Sequence, residues 1–270
     1  MAPHQVPPGI IDFYASGYDE GSRLTKSADG VLELVRTQEL LRRHLPPAPA
    51  KVLDVGGGPG AHARWLVEAG YAVHLVDPVE RHVQEALGTG ATAERGDARA
   101  LPAGDATYDA VLLLGPLYHL TDPADRKAAL AEARRVVRPG GLVAAAGINR
   151  YAPLFEHTAY AHLHHPAIGE SIVESLATGV YDGRRGFTEA YFHTPEELVA
   201  ELLGSGCEDP VVYGIEGPAW SLLKATEQHT GESLVGSPLF ESALAAARLA
   251  EPHPELLAAS SHLLAVGRHR

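Results

Sequence analysis

The ten residues Lys51-Val-Leu-Asp-Val-Gly-Gly-Gly-Pro-Gly60 constrain the fold of this chain more than any other stretch. Val52, Leu53 and Val55 read as a short buried strand, the glycines as a turn, and Ala61 as the opening of a helix. Glycine suits the turn because the backbone needs unusual angles there, and because a ligand must reach the main chain without meeting a Cβ. The helix that follows offers unpaired N–H groups and a partly positive end, which suits a polar or anionic ligand. Strand, glycine turn and helix in this order mark a nucleotide-type cofactor site in an open α/β sheet.

The flanking sequence repeats the alternation. Strands are expected at 51–55, 72–76, 91–95, 108–114 and 142–146, with helices through Trp65 to Gly70, over about 79–88, and from about Pro123 to Val137. The run Tyr108-Asp-Ala-Val-Leu-Leu-Leu114 is continuously apolar from Ala110, as a strand covered on both faces should be. Short connections between strand and helix imply a parallel sheet with right-handed crossovers. Ahead of the sheet, residues 1–26 read as an ordered arm rather than a core helix, and a helix capped at Ser27 or Asp29 runs to Pro46-Pro47. Residues 149–192 read as helical stretches without a strand. A helix at 194–203, strands at 211–215 and 263–266, and helices at about 238–250 and 254–260 close the chain. The expected organisation is an arm and helix at 1–46, a cofactor-binding core at 47–148, a helical cap insert at 149–192, and completion of the sheet at 193–270 with a helical insert at 218–260.

Composition narrows the partners. At 270 residues, with 45% hydrophobic and 21% charged, the chain has the balance of an ordinary globular protein. A net charge of −12 argues against a nucleic-acid backbone as partner. One cysteine, Cys207, leaves no disulfide framework and suggests a reducing, cytoplasmic setting. No apolar run approaches the ~20 residues of a membrane helix. The alanine-rich helices near 241–250 and 255–260 read as packing or as the interface of a homo-oligomer.

A glycine turn alone is compatible with a nicotinamide enzyme, since Gly56, Gly58 and Ala61 satisfy the relaxed dinucleotide spacing. Four further features narrow the choice. Asp54 can brace the turn by accepting backbone N–H bonds. Asp77 closes the second strand, where a carboxylate can take ribose hydroxyls, or simply cap the helix after Pro78. Asp97-Ala98 closes the third strand, beside an adenine or as a plain turn. The fourth strand runs into Gly115-Pro-Leu-Tyr-His119, which places polar groups at the reactive end. All four fall at the carboxyl ends of strands, where ligands of such sheets lie.

VLDVGGGPG, the HLVDP turn, GDARALP and YDAVLLLGPLYHL followed by RVVRPGG resemble, in order and spacing, the motifs of class I S-adenosylmethionine-dependent methyltransferases of small-molecule type. The resemblance covers about residues 50–147. It implies a seven-stranded, mostly parallel doubly wound sheet with helical cap insertions, whose last two strands form an antiparallel edge pair. It implies S-adenosyl-L-methionine as cofactor, with S-adenosyl-L-homocysteine as product. Gly56, Gly57 and Gly58 would border the methionine portion, Asp77 the ribose, and Asp97 with Ala98 the adenine, over a floor of Leu114 and Leu117. The arm resembles the lid of small-molecule members, so Tyr14 and Tyr18 would close over the cofactor and Arg23 would meet its carboxylate.

The remaining assignments concern the acceptor. His119 is either a satisfied histidine at a strand end or a general base or donor that orients the acceptor. Tyr118, Tyr151, His157 and Trp220 are candidate acceptor contacts. His157, His162, His164 and His165 read as cap lining in preference to a plain surface helix; no acidic or cysteine partner sits at metal-ligand spacing, so no metal is expected. The expected activity is in-line transfer of the sulfonium methyl to oxygen, nitrogen or carbon of a small molecule such as a secondary metabolite. Two rivals stand beside it: a sulfonium-binding protein that catalyses a cyclisation or rearrangement, and a nicotinamide-linked oxidoreductase.

Overall fold

A computed structural model describes residues 8–15, 19–183 and 187–270. In chain order the strands are β1 (Lys51–Val55), β2 (Ala72–Asp77), β3 (Thr92–Arg95), β4 (Tyr108–Leu113), β5 (Val137–Ile148), β6 (Val180–Asp182), β7 (Glu189–Tyr191), β8 (Cys207–Gly214) and β9 (His262–His269). Seven of them form one sheet in the order β3-β2-β1-β4-β5-β9-β8, while β6 and β7 pair with each other. β1 to β5 run parallel, and β9 lies antiparallel between β5 and β8. The expected antiparallel edge pair is present.

The parity of β4 shows why the sheet is buried on both sides. Val111 and Leu113 face a core built with Ala129, Leu130 and Ala133 of α7 (Pro123–Val136) and Leu198 and Leu202 of α10 (Pro195–Gly204). Ala110 and Leu112 face the opposite core, with Leu40 and Leu41 of α3 (Ala28–His44) and Ala63 and Leu66 of α4 (Ala61–Glu68). Each fully buried leucine of this kind contributes about 1.5–3 kcal/mol. The helices are cut to length by their caps: Ser27 Oγ accepts from Gly30 N at 3.3 Å, and Thr194 with Glu197 forms a reciprocal capping box on α10.

The chain departs from the sequence reading in several places. The arm is helical, as α1 (Pro8–Ala15) and α2 (Glu20–Lys26); helices this short are held by packing, which local pattern does not reveal. The cap is not purely helical: after α8 (Ala152–Ala159) and α9 (Pro166–Thr178) comes the β6–β7 hairpin. β5 begins at Val137, five residues early, because Tyr108 pairs with Val137 before a register shift brings Ala110 opposite Leu142. Pro139-Gly140-Gly141 therefore sits at an irregularity within the strand. A helix missed in the insert, α11 (Trp220–Thr230), precedes α12 (Pro238–Ala250), and 254–259 is a 3₁₀ segment. The alanine face of α12 is used inside the molecule: Ala243, Leu244, Ala247 and Ala250 are buried, the first two against the start of α3.

β1 is flanked by β2 on one side and β4 on the other, so the chain reverses direction across the sheet between β1 and β4. Their carboxyl ends lead apart, and a crevice opens above them. No helix among the described residues is long and apolar enough to cross a membrane.

Candidate active site

The crevice is lined from four strand ends and the arm. β1 supplies Gly56 and Gly58; β2 supplies Val76, Asp77, Pro78 and Val79; the turn after β3 supplies Gly96, Asp97 and Ala98; the segment after β4 supplies Gly115, Pro116, Tyr118, His119 and Leu120. Ile10 and Tyr14 of α1 and Glu20 of α2 close it from above, and His82 of α5 (Glu80–Ala86) from the side. The space between them opens to solvent.

The glycine turn takes its shape from residues that tolerate no side chain. Gly56, Gly58 and Gly60 have φ of 65°, 57° and 89°. A Cβ on Gly57 would come within 2.5 Å of Asp54 Oδ2, and one on Gly58 would protrude toward Glu20 Cγ at 3.5 Å. Gly56 N donates to Val76 O at 2.7 Å, which ties the turn to β2.

Asp54 does not brace the turn by hydrogen bonds. Both its oxygens are buried and unpartnered among the described residues. Burial, reinforced by the nearby Asp77 charge, pushes its carboxyl up to about 7. It works by filling space under Gly57, and as the protonated acid it avoids an isolated buried charge.

Asp77 is engaged from three directions. Oδ2 accepts from Gly58 N at 2.9 Å, while Oδ1 accepts from Val79 N at 2.9 Å and lies 3.2 Å from His82 Nδ1. A carboxylate has about four acceptor positions, so room is left beside these for a hydroxyl. The helix-capping role and a ligand role are thus compatible in one side chain. Asp97 is held by Arg99, which donates to Oδ1 through its backbone N (2.8 Å) and Nε (2.9 Å) and to Oδ2 through Nη2 (2.7 Å). Arg99 is buried and also reaches Asp125, at 2.7 Å. The fixed carboxylate and the apolar Ala98 and Leu120 present one polar edge beside a flat apolar wall.

His119 joins the arm and the cap. Its Nε2 lies 3.0 Å from Tyr14 Oη, and its Nδ1 lies 3.1 Å from Thr188 Oγ1. Thr188 Oγ1 donates to Glu189 O at 3.1 Å, so it accepts from an Nδ1–H, and Nε2 accepts from Tyr14. Burial lowers the imidazole to about 4. Neutral and bonded at both nitrogens, it ties α1 and the segment before β7 together over the crevice.

The other sequence candidates are placed as follows. Tyr118 lines the crevice, while Tyr18 lies outside the described residues. Arg23 does not stand free for a ligand carboxylate: it donates to Glu20 at 2.9 Å and to both oxygens of Glu33 at 2.7 and 3.0 Å. Leu117 is fully buried in one core and Leu114 half-buried against the other, so the lining there is Gly115 and Pro116. Trp220 is buried among Phe155, Leu223 and Phe240, with its indole N–H on Ala259 O at 2.9 Å; it serves packing and not the crevice mouth. Tyr151 is half-buried at the head of α8, and His157 packs against His162 at 5.9 Å between ring centroids, both away from the lining. Glu20, Val79, His82, Pro116 and Leu120 were not singled out from sequence. Their contributions depend on the arm folding back and on how the turns after β2 and β4 bend, and neither leaves a local signature.

These residues fit an adenosyl sulfonium on the structure's own terms. A turn without Cβ atoms, a carboxylate at the end of β2, and a polar edge beside an apolar wall at the end of β3 follow one another along one rim. Residues 52–141 match the family model described as "Methyltransferase domain". The chain is 40% identical over 99 residues to an uncharacterized methyltransferase of Mycobacterium tuberculosis (strain ATCC 25618 / H37Rv), a match covering 36% of this chain and 39% of the relative. The chain therefore spans about two fifths of the length of that relative. It is 30% identical over 206 residues to the "Ubiquinone biosynthesis O-methyltransferase" of Methylocella silvestris, covering 71% of this chain and 74% of the relative. A SAM-dependent methyltransferase of Thermotoga maritima, titled "possible histamine N-methyltransferase", shares the fold at a TM-score of 0.57 with 18% identity, covering 97% of this chain and 98% of that one. With the strand order, the glycine rim and this extent of similarity together, the chain belongs to the class I S-adenosylmethionine-dependent methyltransferases, whose cofactor is S-adenosylmethionine.

Proposed function

We propose that the protein methylates a small molecule, of the secondary-metabolite kind, rather than a polymer. The observation that supports this most is the cover over the crevice: Tyr14 of the arm and Thr188 of the cap both fasten onto His119. A site roofed from both sides suits a compact acceptor that can be enclosed, not a strand or peptide that must lie across it. The net charge of −12 speaks in the same direction against nucleic acid. The lone cysteine, buried in the core, agrees with a cytoplasmic setting.

When bound, the cofactor supplies an electrophilic methyl group on a sulfonium whose leaving thioether needs no acid. The protein's contribution is placement, which in well-oriented reactions is worth about 7–11 kcal/mol. In this reading Gly56, Gly57 and Gly58 hold the methionine portion, Asp77 the ribose, and Asp97 with Ala98 the adenine. Tyr14 roofs the site and His119 fixes the roof. The arm at 1–46, the cap at 149–192 and the insert at 218–260 select the acceptor.

The test is transfer of labelled methyl to a panel of small hydroxylated, aminated and carbon-acid acceptors, run beside RNA, DNA and denatured protein. Label in the small molecules is the expected outcome. Label in the polymers alone overturns the proposal.

A further inference from the structure

Next to the crevice the protein buries a second group of charges. It starts from Glu20, which lines the crevice and accepts from Arg23 Nε at 2.9 Å. Arg23 grips Glu33 of α3 with both terminal nitrogens. Glu33 Oε2 stands 3.7 Å from Nδ1 of His262, the first residue of β9. The same Nδ1 lies 2.5 Å from Oε1 of Glu216, just beyond β8. Glu216 is itself fixed: its Oε2 accepts from Ser260 Oγ at 2.8 Å and from His262 N at 2.9 Å. His62, in the first turn of the helix after the glycine turn, faces the Arg23–Glu33 pair from α4 and is held neutral by burial.

Arg23, Glu33 and His262 are half-buried, with 29%, 13% and 20% of their side-chain surfaces accessible. The part-open faces of this one hydrogen-bonded cluster border a recess. His262 Nε2 has no hydrogen-bond partner among the described residues, and unlike the Asp54 oxygens it is not sealed in. One nitrogen of the ring is thus anchored by carboxylates, while the other has no partner among the described residues and keeps accessible surface. Pairing of His262 with Ile148 at the end of β5 puts the ring on the same rim as the glycine turn.

We propose that this recess holds the acceptor, that the acceptor reacts through the oxygen of a phenol or comparably acidic hydroxyl, and that His262 Nε2 takes the hydroxyl proton. This deepens the small-molecule reading and rests on it. The imidazolium first gives its Nε2 proton to solvent; in the step, the O–H bond breaks, its electron pair stays on the oxygen, and the hydroxyl proton forms the N–H bond at Nε2. Glu216 and Glu33 stabilise the imidazolium that results, as a base oriented by a third group requires. That proton restores the resting imidazolium, so one proton reaches solvent per turnover.

The electrostatics agree. Burial alone would lower the His262 imidazole, but the Glu33 and Glu216 carboxylates outweigh it, with Arg23 opposing them, and raise it to about 9. An oxyanion entering the recess meets the His262 imidazolium at Nε2, while Arg23 is already committed to Glu20 and Glu33. The productive complex holds one proton fewer than the resting protein plus a neutral hydroxyl, so acceptor kcat/KM should rise with pH up to about 9. A divalent cation using Glu33, Glu216 and His262, whose ligand atoms lie within 4.8 Å of one another, would have to displace Arg23 and the ring proton.

4-Nitrophenol is a suitable probe, because its ionised form absorbs where the neutral form does not. With the S-adenosylhomocysteine complex at pH 6, the bound probe is expected to show the phenolate band. His262→Gln should weaken phenolate binding at least tenfold while calorimetric binding of S-adenosylhomocysteine is retained. Glu216→Gln should move the rise of the pH profile below that of the wild type. If His262→Gln fails to fold, Glu216→Gln and NMR titration of the wild-type His262 ring, with and without probe, carry the test. The proposal is overturned by absence of the phenolate band in the wild type, by an unchanged band in His262→Gln, by an unchanged profile in Glu216→Gln, or by loss of the band on chelation with EDTA. Labelled methyl entering amines but no hydroxyl also sinks the oxygen assignment; label entering no small molecule sinks the broader proposed function instead.

Discussion

Replacing Asp77 by alanine should damage the fold and the cofactor site by separable amounts. In the folded protein the carboxylate, itself buried in the crevice wall, accepts from Gly58 N and Val79 N, both at 2.9 Å. Alanine leaves those two N–H groups without a partner, at about 1–3 kcal/mol for each one that water cannot reach. Part of this returns, because the Asp77 charge also raises the Asp54 carboxyl. A net stability loss of about 2–4 kcal/mol is expected. Loss of a charged acceptor for ribose hydroxyls should weaken S-adenosylhomocysteine by a further ~1–3 kcal/mol, or roughly 5- to 150-fold in Kd. Urea denaturation reads the first quantity, and calorimetry on the folded variant at low temperature reads the second. Asp77→Asn, which keeps one acceptor oxygen but turns an amide donor toward an N–H, should fall between. A folded Asp77→Ala protein whose Kd stays within about twofold of wild type would refute the reasoning, because the charged contact would then contribute under ~0.5 kcal/mol.

Tyr14→Phe removes the hydroxyl bonded to His119 and should cost about 1 kcal/mol; S-adenosylhomocysteine should dissociate several-fold faster by stopped-flow fluorescence, and an unchanged off-rate would mean the arm does not roof the site. Asp54 is held at about 7 in the folded protein against 3.8, so the folded state keeps a proton that the unfolded chain has lost. Its contribution to stability therefore falls as pH rises from about 4 to about 7. Asp54→Asn should flatten that part of a pH series of urea midpoints. His262 has the opposite sense: a folded value of about 9 against 6.5 gives stability that is complete below 6.5 and lost as pH rises through 9. His262→Gln should remove this alkaline decline. Trp220→Phe should lower stability by ~1 kcal/mol through loss of the bond to Ala259 O and leave the acceptor KM unchanged.

The core was legible because its signals are local. Continuous burial along β4 follows from a run of apolar residues, and the glycine turn follows from positive φ at Gly56, Gly58 and Gly60. The carboxylates at the ends of β2 and β3 were readable because the ends of strands are where ligands of such sheets lie. What remained hidden depends on contacts between distant parts of the chain. Arg23 is separated from Glu33 by ten positions and aligned with it only once α2 folds against α3. His262 and Glu216 meet because β8 and β9 pair, and neither residue stands in a motif. Asp54 looked like a brace for the turn, but its oxygens ended up under Gly57 with no N–H to accept from. Trp220 looked free to reach the crevice, yet a missed helix, α11, carries it into the core.

The central claim is that one rim, from the glycine turn through Asp77 to Asp97-Ala98, receives the adenosyl cofactor. A crystal structure of the S-adenosylhomocysteine complex tests it most directly. The account predicts the amino-acid end of the ligand against Gly56, Gly57 and Gly58, the ribose on Asp77, and the base beside Asp97 and Ala98. Density for the ligand anywhere else, or a ribose with no contact to Asp77, would contradict it.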